Sequence, residues 1–232
     1  AFLQCVEYAK SKGLYTETST NGHYLNRENA ELTVKSGLDA MIVSVDGATQ
    51  DSYEHYRVNG KLDKVISGIQ NLVAAKHRLG SKTPYVLLQF LVMKHNEHEI
   101  PQIEAMAKEL GVDRLLKKNI QVESHQQALE WLPSQEKHQR YSIGESDIEV
   151  RRNGKGVCPR PWLSSLMNWD GSVVPCCFDK NGAHSMGDIW QADEFSHLWN
   201  TSEYQDFRTN MLRNRDKIDI CRNCNQGFGI WV

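Results

Sequence analysis

Four cysteines, Cys158, Cys176, Cys221 and Cys224, constrain this chain more than any other feature, because thiols so far apart in sequence share a site only if the chain between them folds back. Between the first two, Trp169-Asp170-Gly171-Ser172-Val173-Val174-Pro175-Cys176 sets an Asp-Gly turn ahead of a short apolar run. That is the pattern of a β-hairpin, and it delivers Cys176 at a strand end. Cys221-Arg222-Asn223-Cys224 follows a helical stretch and returns two more thiols to the same point. Thiolates gathered in this way usually hold metal. Four of them suit either tetrahedral zinc or a [4Fe-4S] cluster, and spacing alone does not separate the two. Cys177 is expected to face the other side of its strand and is the substitute for Cys176 as ligand. Cys5, on an apolar helical face, reads as a small core residue.

Composition narrows the function classes. A chain of 232 residues holds one large domain, or a medium one with a smaller appendage. Its formal net charge of -2, with Lys and Arg spread along the chain, provides neither a basic stripe for nucleic acid nor an acidic tail. No apolar run approaches the roughly 20 residues of a bilayer crossing, and no charged-then-apolar leader opens the sequence. A cytoplasmic protein without nucleic-acid or membrane partners is therefore expected. Five of the cysteines lie after position 157, which favours a metal site over a disulfide framework.

Residues 1 to 120 alternate helical and strand patterns. Phe2, Leu3, Val6 and Ala9 recur at helical spacing before Gly13, and a strand is expected from Leu14 to about Ser19. Asn26 is placed to cap a helix carrying Ala30 and Val34, and Met41-Ile42-Val43 reads as a short buried strand. A long helix presents Val65, Ile66, Ile69, Leu72 and Val73 on one face. Tyr85 to Met93 then reads as a buried strand, Ile100 to Leu110 as a helix, and Leu115-Leu116 as the start of a weaker strand. This order implies parallel strands with right-handed helical crossovers, a partial (β/α) barrel of the α/β class. The chain opens on a helix with no strand to feed it, so upstream sequence is expected. From 121 to 157 the periodicity fades, with Gly144, Gly154 and Gly156 as breakers, which reads as a linker; residues 158–232 form the cysteine-rich hairpin-plus-helix domain.

Three motifs stand at successive strand ends: Thr20-Asn21-Gly22, Ser44-Val45-Asp46-Gly47 and Met93-Lys94-His95-Asn96-Glu97. Carboxyl strand ends are where parallel α/β proteins build their sites. In this order the set resembles the radical S-adenosylmethionine (SAM) enzymes, and the cysteine region resembles their SPASM or twitch extension. The latter likeness rests on Cys158, Gly171 and Cys176, on Cys158-Pro159-Arg160-Pro161-Trp162 and Pro175-Cys176-Cys177, and on Met186-Gly187-Asp188-Ile189-Trp190. The resemblance implies an auxiliary [4Fe-4S] cluster on Cys158, Cys176, Cys221 and Cys224. It also implies SAM contacts at Ser44, Asp46 and Asn96, with Glu97 as a possible pocket residue. Arg57 is a candidate for the SAM carboxylate, because guanidinium meets carboxylate with two parallel hydrogen bonds. Ile230 stands where a fuller SPASM domain would carry its next cysteine, and the chain ends at Val232. One auxiliary cluster is expected, as in the twitch-type dehydrogenases of aminocyclitols.

The CxxxCxxC loop that binds the catalytic cluster in that family, and its Gly-Gly-Glu segment, do not occur in residues 1 to 232. Both are expected upstream, and this chain alone is not expected to cleave SAM. In the intact enzyme the resemblance implies a second [4Fe-4S] cluster, a 5′-deoxyadenosyl radical and an electron donor such as a flavodoxin or ferredoxin. The substrate is a sugar or cyclitol to be oxidised, or a peptide or protein to be modified. The alternative class is a non-catalytic iron-sulfur or zinc module for electron transfer or docking. Of the nine histidines only His95 and His98 form a pair worth naming, and they read as solvated loop residues. Trp162 and Trp169 are expected to cover the cluster with apolar surface. Arg160 and Asp179 are weaker candidates for neighbours of the cluster or substrate.

Overall fold

A computed structural model describes residues 1–151 and 158–225. The expected breakers Gly154 and Gly156, and the positions Ile230 and Val232, lie outside the described residues. The chain divides into two compact units, residues 1–122 with 126–139, and residues 123–125 with the chain from Arg140 onward.

The first unit is built on a four-stranded sheet that is parallel throughout, in the order β1-β2-β3-β4. Helix α1 (Phe2–Ser11) leads into β1 (Glu17–Thr20), α2 (Arg27–Lys35) and β2 (Ala40–Ser44). Two helices follow, α3 (Gln50–Tyr56) and α4 (Leu62–Arg78), then β3 (Tyr85–Val92), α5 (Ile100–Glu109) and β4 (Arg114–Asn119). Asn26 caps α2, its side chain accepting from the Asn29 amide at 2.8 Å. Helix α3 starts on a capping box in which Thr49 and Ser52 satisfy each other's backbone amides.

Val65, Ile69 and Leu72 of α4 are fully buried, and each contributes roughly 1.5–3 kcal/mol by leaving water. The same face carries Gly68 because a Cβ there would stand 2.5 Å from the Gly22 carbonyl oxygen. Since all four strands run the same way, the loops after Thr20, Ser44 and Val92 open on one side of the sheet.

Cys5 is exposed, contrary to the core reading. Val6 is the one buried residue of α1, and its neighbour lies about 100° around the helix from it.

Segment 121–157, expected as linker, carries α6 (His125–Trp131) and an antiparallel hairpin of β5 (Tyr141–Ile143) and β6 (Ile148–Val150). Within the second unit, α7 (Arg160–Leu163) precedes a small antiparallel sheet of β7 (Leu166–Met167), β8 (Ser172–Val174) and β9 (Gly187–Asp188). The Asp-Gly turn joins β7 to β8: Gly171 takes φ +92, and Asp170 accepts from the Ser172 amide at 3.0 Å. Then come α8 (Phe195–Trp199), α9 (Ser202–Asn214) and the four-residue α10 (Asp219–Arg222). Helix α9 buries Tyr204, Phe207 and Met211 and donates from Arg208 to the Pro161 and Trp199 carbonyls at 2.9 and 2.8 Å. Among the described residues no helix is long and apolar enough to cross a membrane.

Candidate metal centre

Strand β8 ends at Val174, and two residues later Cys176 enters a cavity whose wall also holds Cys158, Cys221 and Cys224. The hairpin brings Cys176, the chain before α7 brings Cys158, and α10 with the residues after it brings the other two. All four expected ligands therefore line one space. The rest of the wall is Arg160, Pro161, Phe178, Phe207, Met211, Arg215 and Ile220. Phe207 and Met211 lie one turn apart on α9.

Three of the thiols are buried and Cys176 is half-buried. Burial, and after it the Cys176 sulfur, pushes the Cys221 thiol up to about 12, while Arg215 opposes the shift. Burial also raises Cys176. Thiols raised in this way keep their protons until a cation compensates them, so metal binding at this site releases protons.

Among the described residues, no three His, Cys, Asp or Glu side chains gather at a single-ion position. Four sulfur donors, an apolar wall and two guanidinium groups suit an iron-sulfur cluster, whose thiolate-ligated core is anionic and is held by Cys sulfur.

Cys177 is exposed and lies off the cavity, with its sulfur accepting from Arg160 Nη1 at 3.1 Å. The tryptophans are placed differently from expectation. Trp169 is 96 % exposed on the β7–β8 turn, Trp162 is 36 % exposed, and neither lines the cavity. The apolar cover comes from Pro161, Phe178, Phe207, Met211 and Ile220. Asp179 is buried and accepts from the Ala183 and His184 amides, both at 2.8 Å, which fixes the loop after Cys177.

In the first unit, Asp46, Arg57 and Asn96 form one network at the carboxyl ends of β2 and β3. Fully buried Asp46 accepts from Arg57 Nε at 2.7 Å and Nη2 at 2.6 Å, and from the Leu91 amide at 2.8 Å. Asn96 donates to the Asp46 and Leu91 carbonyls at 2.9 and 3.0 Å and accepts from the Met93 amide at 2.7 Å. Its carboxamide joins two strand ends. Ser44, two residues before Asp46, is buried opposite Gln89. The Nε–Nη2 edge of Arg57 is taken by Asp46, so a ligand carboxylate would have to approach its Nη1 edge.

Two features escaped the sequence reading. Glu99 is buried and accepts from the Ala48 amide, Ser52 Oγ and Thr49 Oγ1, holding the loop that follows Asp46. His95 packs on His55, with centroids 4.5 Å apart, and both rings meet Trp131. His95, read with His98 as a solvated loop residue, is instead half-buried against His55 of α3, while His98 is exposed. Burial, then His55, lowers the pKa of His95.

Residues 158–225 match the SPASM family, an iron-sulfur cluster-binding domain. The PqqA peptide cyclase of Gluconobacter oxydans is 26 % identical over 99 % of this chain and 66 % of its own length. The mycofactocin maturase MftC of Mycobacterium tuberculosis is 22 % identical over 96 % of this chain and 59 % of its own. The family match thus covers the whole four-cysteine stretch, and the likeness to these two relatives runs along nearly the whole chain. The crystal structure of Streptococcus suis SuiB bound to S-adenosylmethionine shares the fold, with a TM-score of 0.63 at 11 % identity over 97 % of this chain and 58 % of that one. The chain thus spans 59 to 66 % of the length of these two curated relatives. The matched family binds iron-sulfur clusters, and SuiB was solved with S-adenosylmethionine bound.

Proposed function

We propose that this chain is part of a radical SAM enzyme that modifies a peptide, and that Cys158, Cys176, Cys221 and Cys224 hold one auxiliary [4Fe-4S] cluster. One observation carries this reading: four thiols from three separated segments line a single cavity inside the stretch that matches the iron-sulfur family. A peptide substrate is supported by likeness along nearly the whole chain to a protein named as a peptide cyclase. When bound, the cluster supplies one-electron exchange.

The chain's own residues supply everything around that exchange. Arg160 and Arg215 oppose the negative charge that four thiolates bring into a poorly solvated space. Pro161, Phe178, Phe207, Met211 and Ile220 limit water there, and with hydrogen bonding such surroundings set the potential. In the first unit, Asp46 orients Arg57 toward the carboxylate of SAM, Asn96 locks the two strand ends, and Ser44 lies beside them. A flavodoxin or ferredoxin would be the external electron donor.

Anaerobic reconstitution with iron and sulfide tests the assignment. Wild type should bind about four irons per chain; Cys176→Ser should lose them, and Cys177→Ser should keep them. Stoichiometric zinc without iron uptake, or loss of iron in Cys177→Ser alone, would remove the assignment.

A further inference from the structure

Helix α10 has only four residues, far too few to be stable as an isolated helix, yet Cys221 lies in it and Cys224 just beyond. Something outside this segment must hold it. Side-chain hydrogen bonds reach it from separate parts of the second unit, among them a long one from Arg140 Nη2 to the Asn223 carbonyl at 3.5 Å. The hydroxyl of Tyr141, on β5, donates to Asn223 Oδ1 at 2.7 Å, and Tyr141 itself is fully buried. On the other side, His184 Nε2 lies 2.6 Å from Asp219 Oδ1. The His184 ring meets Phe207, a cavity residue, edge-on at 5.4 Å, and the buried Asp179 carboxylate holds the His184 backbone amide.

We infer that Tyr141 and His184 are positioning residues that preform the Cys221 and Cys224 half of the metal centre, Tyr141 through Asn223 and His184 through Asp219. The inference rests on the reading of these cysteines as cluster ligands. The hairpin β5–β6 thereby belongs functionally to the metal centre: removing the Tyr141 hydroxyl leaves every ligand in place but takes away one anchor of the residue between two of them.

Hydrogen exchange of the metal-free chain tests this without any cluster. The Cys221 and Arg222 amides donate to the Ile218 carbonyl, and the Cys224 amide to that of Cys221. In Tyr141→Phe and in His184→Ala these amides should exchange about two- to tenfold faster, the factor expected for one lost hydrogen bond. His184→Gln, whose amide nitrogen reaches as far as Nε2, should restore the wild-type rate. After reconstitution, both disruptive variants should release iron to a chelator faster than wild type. Unchanged exchange at 221–224 in both variants would overturn the inference, as would acceleration spread equally over α9 and β8. Failure of wild type to bind iron, with the exchange pattern as expected, would instead remove the iron-sulfur reading and leave the anchors standing.

Discussion

Replacing Asp46 separates the two services its carboxylate performs at the strand ends. In Asp46→Ala the Leu91 amide loses its acceptor inside the protein, at a cost of about 1–3 kcal/mol. Arg57 loses its partner as well. Removing one member of a fully buried pair costs about 3–5 kcal/mol, but the Arg57 side chain is 33 % exposed and rehydrates in part. That lowers this share to about 1–2 kcal/mol, for a total of about 2–5 kcal/mol. Asp46→Asn keeps an acceptor for Leu91 and should lose only the second share, about 1–2 kcal/mol. Urea unfolding followed by circular dichroism gives the totals, and hydrogen exchange at the Leu91 amide isolates the first share. Equal losses in the two variants, or a loss under about 1 kcal/mol in Asp46→Ala, would refute the division of labour.

The Tyr53 hydroxyl is buried with no hydrogen-bond partner among the described residues, so Tyr53→Phe should leave urea stability unchanged or raise it by up to about 1 kcal/mol. Gly68→Ala, which improves helix propensity by about 1 kcal/mol, should nonetheless destabilise, because the new methyl meets the Gly22 carbonyl. A melting temperature above wild type would contradict that contact. Asp39 is held below its ordinary pKa of 3.8 by Lys10 and then by the Thr16 amide. A depressed carboxylate contributes stability above its unfolded pKa and loses it as pH falls through the folded value. Asp39→Asn should therefore lower the urea midpoint at pH 6, with the difference shrinking as pH falls below 3.8 and through the depressed value.

The parallel sheet was readable because its central strands are apolar runs and α4 is strongly one-faced. Strand β3 was expected from Tyr85 to Met93 and runs from Tyr85–Val92; the helix expected from Ile100 to Leu110 is Ile100–Glu109. The half-exposed edge strand β4, Arg114–Asn119, showed only Leu115-Leu116, since its charged residues mask the pattern. Helix α3 is too short and polar to show periodicity, although the Thr49 and Ser52 capping box was present to be read. The hairpin β5–β6 offers three residues per strand, below what alternation can reveal.

At the metal centre the spacing of the four cysteines placed them on one cavity, because turn chemistry around Gly171 is local and strong. What covers the cavity depends on packing between distant segments. Trp169 was expected over the metal from its nearness in sequence to Cys176, but it sits on the turn, at the other end of β8. Phe207 and Met211, far along the chain, take that place. The same limit hid the His55–His95 contact, the Tyr141 to Asn223 bond and the buried Glu99.

The central claim is that four thiols hold one iron-sulfur cluster in the second unit. Mössbauer spectroscopy of the chain reconstituted anaerobically with ⁵⁷Fe tests it most directly. The account predicts the signature of a single [4Fe-4S] cluster, lost in Cys221→Ser and retained in Cys177→Ser. Isolated tetrahedral iron sites in wild type, or a cluster spectrum that survives Cys221→Ser, would contradict it.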